Sequence, residues 1–292
     1  MTERPIERPR TTTSPRVAFQ GERGAFSEEA VLGFFADPIA VAMPSWRDVF
    51  EGVRDGSVDS GVIAIENSLG GSIRETYDLL YEFDLAILGE VTVAVRLALM
   101  ALPGQRIEDI ERVYSHPQGI AQADDFLRTR SWSVMTAYNT AGSAKMIRDR
   151  AEMGAAALAS ARVAGLYGLS ILAENVQTGD ENRTRFAVLA RDGLAPGWAK
   201  DTRPRPPKTT LVFATRNEPG SLYRCLGAFA ERGINLSRLE SRPSRATRWE
   251  YVFWADLDAA ADDPACVAGL EALRGHAAMV RVLGSYPSAA EE

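Results

Sequence analysis

The feature that most constrains this chain is the regular alternation of short apolar runs with helix-period patterns through its longer, N-terminal part. Val17–Gln20, Gly61–Ile65, Ile87–Met100, Arg112–Tyr114, Ser133–Thr136 and Phe186–Ala190 have strand character. Between them Ser27–Ala36, Ser72–Tyr81, His116–Thr129, Ala141–Arg150 and Ala155–Tyr167 repeat at helical spacing. Such a chain must cover mainly parallel sheets with helices, so the expected class is α/β. The long run ending at Met100 lies midway and is placed to pass between two lobes around a cleft. The first lobe would hold about Val17 to Val91 plus the late strand Phe186–Ala190.

The pattern then changes. Asp192 to Lys208 holds four prolines and two glycines without apolar periodicity, which is linker composition. Beyond it the order is β-α-β-β-α-β: strand Thr209–Ala214, a helix from Pro219 stopped at Gly233, strands Ile234–Ser241 and Glu250–Asp258, a helix Asp263–Arg274 and strand Met279–Gly284. That order is a ferredoxin-like unit. The expected division is a disordered tail over 1–16, a two-lobed unit over 17–191, a linker over 192–207, a small domain over 208–286 and a tail over 287–292.

Composition narrows the function. A formal net charge of −6 argues against nucleic acid as a partner. Cys225, Cys266, His116 and His276 are scattered, so no metal site is expected. No apolar run reaches the roughly 18 residues of a membrane span. The Arg-, Pro- and Thr-rich N-terminus lacks the apolar core of a secretory signal, so the cytoplasm is the expected location.

Four strand ends lead into Gly-, Ser- or Asn-bearing turns before a helix: 21–27 with Ala25, Phe26 and Ser27, 66–72 with Asn67 and Ser68, 115–118 with Ser115, and 138–140 with Thr140. Ser27 is expected to cap its helix, and Ser72 with Glu75 and Ser115 with Gln118 have capping-box spacing. Caps of this kind are ordinary structure when taken singly. Gathered at the carboxyl ends of strands, they make a cleft for a small anion. Asn182-Arg183-Thr184-Arg185-Phe186 precedes the last strand, where Thr184 has a hydroxyl to offer and Arg185 a carboxylate clamp. A two-lobed binding protein without chemistry fits these residues equally well.

The blocks Phe19–Ser27, Ile65–Ile73, Ser115-His116-Pro117-Gln118 with Gln122, and Asn182–Phe186 together resemble the prephenate dehydratase family. Pro219-Gly220-Ser221-Leu222 and Ile234–Pro243 resemble its appended ACT regulatory domain. Ala64, Ala123 and Asn139 depart from the family's usual Pro, Cys and Ser. The resemblance implies a periplasmic-binding-protein-like catalytic domain followed by a ferredoxin-like ACT domain. It implies loss of carbon dioxide and water from prephenate, giving phenylpyruvate, without cofactor or metal; arogenate, the amino analogue, is the alternative substrate. By resemblance Thr184 assists the departing hydroxide, while Arg185 and the turns at Asn67, Ser68, Ser115 and Thr140 bind carboxylates. Ala25, Phe26, Ser27, Gln122 and Phe186 complete the site. Glu66, beside an anionic substrate, is expected to pair with a cation or an N–H. Phenylalanine is the implied effector, held by Pro219, Gly220, Ser221, Leu222, Asn235, Leu236, Glu240 and Ser241 between paired ACT domains. A homodimer or dimer of dimers follows.

Overall fold

The computed structural model describes residues 14–179, 181–191, 193, 198–243 and 251–289. Most of the expected N-terminal tail, half of the expected C-terminal one, part of the linker and residues 244–250 lie outside the described residues.

Lobe 1 contains β1 (Arg16–Gln20), α1 (Phe26–Phe34), β2 (Ile39–Met43), α2 (Trp46–Asp55), β3 (Ser60–Asn67), β4 (Gly71–Ser72), α3 (Arg74–Glu82) and β5 (Ala86–Ala94). Lobe 2 follows with β6 (Ala98–Ala101), β7 (Arg112–Ser115), α4 (Pro117–Gln122), α5 (Asp124–Arg128), β8 (Ser133–Thr136), α6 (Thr140–Arg150), β9 (Ala155–Ala159), α7 (Arg162–Tyr167) and β10 (Ser170–Ala173). The chain then returns to lobe 1 as β11 (Arg183–Ala190). The sheets run β2-β1-β3-β11-β5 and β10-β6-β9-β7-β8, so the two-lobed expectation holds. They are mixed rather than mainly parallel. β11 arrives from the other lobe and lies antiparallel to both β3 and β5. The long run 87–100 divides into β5 and β6, one in each lobe.

The expected helix 155–167 is half wrong. Ala155–Ala159 is a fully buried strand, and the helix begins only at Arg162. Alanine favours helix intrinsically, but a central strand covered on both faces accepts a continuous small apolar run. β2 and β10 were not anticipated. Ile39–Met43 is an unbroken apolar run of five that the alternation pattern left unassigned, and Ser170–Ala173 is a four-residue strand; both are only partly buried.

The C-terminal unit is β12 (Pro207–Thr215), α8 (Ser221–Ala230), β13 (Leu236–Pro243), β14 (Tyr251–Leu257), α9 (Pro264–His276) and β15 (Ala277–Pro287), in sheet order β13-β14-β12-β15. Tyr251, Phe253, Ala255 and Leu257 are spaced in the sequence as one apolar strand face; Phe253, Ala255 and Leu257 do pack on the domain's own helices, while Tyr251 is exposed. Val252 and Trp254 face the other way and share a core with Ile63, Ile65, Leu80, Ile87 and Leu189 of lobe 1. Trp254 meets Tyr77 edge-on with ring centroids 5.6 Å apart, a pairing worth about 0.5–1.5 kcal/mol beyond its area. Gly284 is needed at this seam, because a Cβ there would collide with the Ile87 backbone. The small domain is therefore fused to the back of lobe 1.

Across the cleft the lobes are tied together. Arg162 pairs with Glu28 at 2.6 Å, Lys145 with Glu22 at 3.1 Å, and the Tyr138 hydroxyl donates to Pro44 O at 2.5 Å.

Candidate active site

Lobe 1, lobe 2 and β11 enclose a cavity of about 380 Å³. Ala25, Phe26 and Ser27 from the start of α1 line it, as do Asn139 and Thr140 from the start of α6. His116, Gln118, Gly119 and Gln122 come from α4 and its cap, Asn67 from β3, and Thr184 and Phe186 from β11. Among the described residues, no Asp, Glu, Lys or Arg lines this cavity. A small anion there meets neutral donors and the positive ends of helix backbones rather than a fixed cation.

At its floor Asn67 and Thr184 face each other across paired strands. Asn67 Oδ1 accepts from Leu69 N at 3.1 Å and Gly70 N at 2.8 Å. Two N–H donors fix the orientation of the amide, so its NH₂ must point the other way. That NH₂ donates to Thr184 Oγ1 at 3.0 Å, to Asn182 Oδ1 at 2.8 Å and to Arg183 O at 3.1 Å. With its oxygen already accepting from Asn67, the Thr184 hydroxyl keeps its proton for a ligand. Asn67 was expected to bind a carboxylate; the geometry makes it the holder of Thr184.

A bulge sets this arrangement. Val62 and Ala64 of β3 pack with Phe186 and Val188 on the cleft side, while Ile63 and Ile65 pack with Ala187 and Leu189 on the side of the small domain. Strict alternation would then turn Glu66 into the cleft. The register shifts between Arg185 and Phe186, so β3 gains one residue, Asn67 faces the cleft and Glu66 faces away. Glu66 pairs with Arg185 at 2.9 Å and Arg238 at 3.6 Å, meeting the expectation that it has a cationic partner.

Arg185 is the main revision. Adjacent strand residues point to opposite faces, so with Thr184 in the cleft Arg185 points toward the small domain. Its guanidinium contacts Glu66 at 2.9 Å, Asp256 at 2.9 Å and Glu90 at 3.3 Å, and it binds nothing in the cleft. Burial alone would push its pKa down; Asp256, Glu90 and Glu66 outweigh that and hold it above the ordinary arginine value. Ser68 and Ser115 are revised too. Ser68 ties the strand ends together by donating to Glu181 O and accepting from Arg183 N. Ser115 is wholly buried and donates to Leu158 O.

The expected caps fare unevenly. Ser27 sits inside α1 rather than at its cap, and Ser72 lies in β4, leaving α3 without a side-chain cap. Asn139 does cap α6, accepting from Gly142 N at 2.5 Å. The cap of α4 is His116, not Ser115: its Nδ1 accepts from Gln118 N at 3.2 Å. That contact leaves the proton of the neutral ring on Nε2. Burial lowers the pKa of His116, so the cap is complete at neutral pH and is lost as pH falls through the lowered value. An NMR titration is expected to find a His116 midpoint below the ordinary value of about 6.5, and a midpoint above it would contradict this placement.

His116, Gln118, Tyr138 and Trp46 also line the cavity and were not expected as site residues. The first two stand in the Ser115–Gln118 motif and Tyr138 in the turn 138–140; nothing local marks Trp46.

In the small domain a second cavity of about 230 Å³ gathers Gly220, Ser221 and Leu222 with Thr215, Asn217, Tyr223 and Tyr251. Pro219, Asn235, Leu236, Glu240 and Ser241 do not line it. Asn235 donates to Asp258 at 2.6 Å, Glu240 accepts from Ser72 at 2.9 Å, and Ser241 is exposed on β13. Within one chain the expected effector residues therefore form two groups.

Comparison with known proteins bears on both regions. The family model for prephenate dehydratase matches residues 17–193, and that for the ACT domain matches residues 209–275. Arogenate dehydratase/prephenate dehydratase 2 of Arabidopsis thaliana is 42% identical over 281 residues, covering 93% of this chain and 72% of that protein. The solved structure of GqqA, described as a quorum quenching acylase, superposes with TM-score 0.84 at 31% identity over 93% of this chain and 97% of its own. Prephenate dehydratase from Arthrobacter aurescens in complex with L-Phe superposes with TM-score 0.82 at 30% identity, covering 93% and 90%. The chain belongs to the prephenate dehydratase family and carries a C-terminal ACT domain.

Proposed function

We propose that this enzyme converts prephenate to phenylpyruvate, losing carbon dioxide and water, and that phenylalanine regulates it through the ACT domain. The observation that carries the reading is the Asn67–Thr184 pair on the floor of a cleft whose described lining residues are uncharged. Thr184 donates its proton toward the departing 4-hydroxyl, while the first turns of α1 and α6 and the side chains of Gln122 and Thr140 hold the carboxylates. Aromatisation of the ring drives the step. Among the described residues the cleft lining holds no carboxylate for an ammonium group, which favours the keto side chain of prephenate over the amino side chain of arogenate.

The phenylalanine site is assigned to Gly220, Ser221 and Leu222, completed across paired ACT domains by Asn235, Leu236 and Ser241 of a second copy. Tyr223, Leu239 and Tyr251 are large apolar side chains exposed there. Side-by-side turnover of both substrates is expected to favour prephenate, with phenylalanine changing the rate; turnover of neither substrate would overturn the reading. Light scattering is expected to give a dimer or a multiple of it.

A further inference from the structure

Glu66 and Arg185 occupy the register position next to Asn67 and Thr184 on the same two strands. One cross-strand pair faces the cleft and its neighbour faces the ACT domain. The second pair is held from that domain by Asp256 and Arg238, and from lobe 1 by Glu90. Asp256 of β14 contacts Arg185 at 2.9 Å and is itself held by the Thr210 hydroxyl at 2.7 Å, which meets the Tyr286 hydroxyl at 2.6 Å. Lys208 of β12 reaches Glu90 at 2.5 Å, behind Arg185.

On the other side Arg238 of β13 bridges Glu66 and Ser72 and lies over the Tyr77 ring, 4.7 Å from its centroid. Ser72 in turn donates to Glu240, in the strand where the effector motif lies. Contacts therefore run unbroken from Glu240 through Ser72, Arg238 and Glu66 to Arg185. The last two are covalently adjacent to Asn67 and Thr184. Three cations (Arg185, Lys208, Arg238) meet three carboxylates (Glu66, Glu90, Asp256), so the cluster is balanced only while the two domains stay in register.

We propose that Glu66 and Arg185 are a positioning pair through which the ACT domain holds Thr184 against Asn67 and passes effector binding to turnover. The proposal rests on the activity proposed above, and it explains why an arginine beside the reactive threonine serves without touching substrate. A threonine displaced by a fraction of an ångström keeps its hydroxyl yet misses the leaving oxygen.

The test uses the full chain and variants remote from the cleft. Asp256→Asn is expected to lower kcat about 10- to 100-fold with KM nearly unchanged, because alignment rather than binding is lost. Arg238→Gln should act in the same direction. Glu66→Gln added to Asp256→Asn should cost far less than the sum of the two, since both act through one pair. A merely structural network would instead lower the melting temperature and leave kcat unchanged well below it, and that result overturns the proposal.

The side-chain amide resonance of Asn67, read without substrate, should move in Asp256→Asn. Saturating L-phenylalanine should move it in the wild type and not in Arg238→Gln. An unmoved signal in Asp256→Asn, or equal phenylalanine shifts in both proteins, also overturns it. If the wild type turns over neither prephenate nor arogenate, the proposed activity fails, while the Asn67 signal still decides the link.

Discussion

Thr184→Ala is expected to fold normally, bind substrate with little change in KM and lose about 10²–10⁴ in kcat, the usual worth of positioned proton donation. The hydroxyl is buried, its oxygen engaged by Asn67, and its neighbours Phe186 and Val188 pack independently of it. Removing it takes away the proton donor and little else. Thr184→Ser keeps the group but loses the methyl that fixes the rotamer, so it should retain intermediate activity. Steady-state kinetics on prephenate decide the matter. Near-wild-type turnover in the alanine variant would remove Thr184 from the mechanism.

Arg185→Leu should lower stability as well as turnover. The arginine side chain is 16% exposed and lies between Glu90 at 1% and Asp256 at 4%. Taking it away leaves the buried Glu90 and Asp256 carboxylates facing each other, with Lys208 paired to Glu90, and breaking a buried charge network in this way costs about 3–5 kcal/mol. Denaturant unfolding at neutral pH should show that loss. A change below about 1 kcal/mol would mean that the network is solvated like a surface ion pair. Arg185→Lys should fall between, because an ammonium cannot span three carboxylates as the planar guanidinium does.

Much of this architecture was legible in the chain. Strand–helix alternation gave two lobes, the proline-rich break gave the change of unit, and the spacing of Phe253, Ala255 and Leu257 gave the inner face of the ACT sheet. Val252 and Trp254 are where that last reading fell short. Residues between the positions of an amphipathic strand are normally left to solvent, but here a second unit covers them. The cleft was legible as a set of turns, and Thr184 from the motif around it. The division of labour within the motif was hidden. Residues 66 and 67, like 184 and 185, are polar neighbours, and which member faces the ligand depends on a one-residue bulge between strands distant in sequence. No local pattern announces such a shift. Ser68 and Ser115 failed for a related reason: a hydroxyl at a strand end is as useful for closing a buried backbone group as for greeting a ligand.

The bulge in β3 has a consequence for how the segment tolerates change. Because β11 offers chemistry to one side and the domain seam to the other, its side chains work only in phase with β3. A single-residue insertion between Arg185 and Phe186 would swap the two faces of β11 at once, bringing the guanidinium into the cleft and burying the hydroxyl among charges. A point substitution here removes one contact and leaves the other side chains on their own faces; a shift of phase misplaces both faces together. This stretch is thus more sensitive to a change of length than to any single replacement.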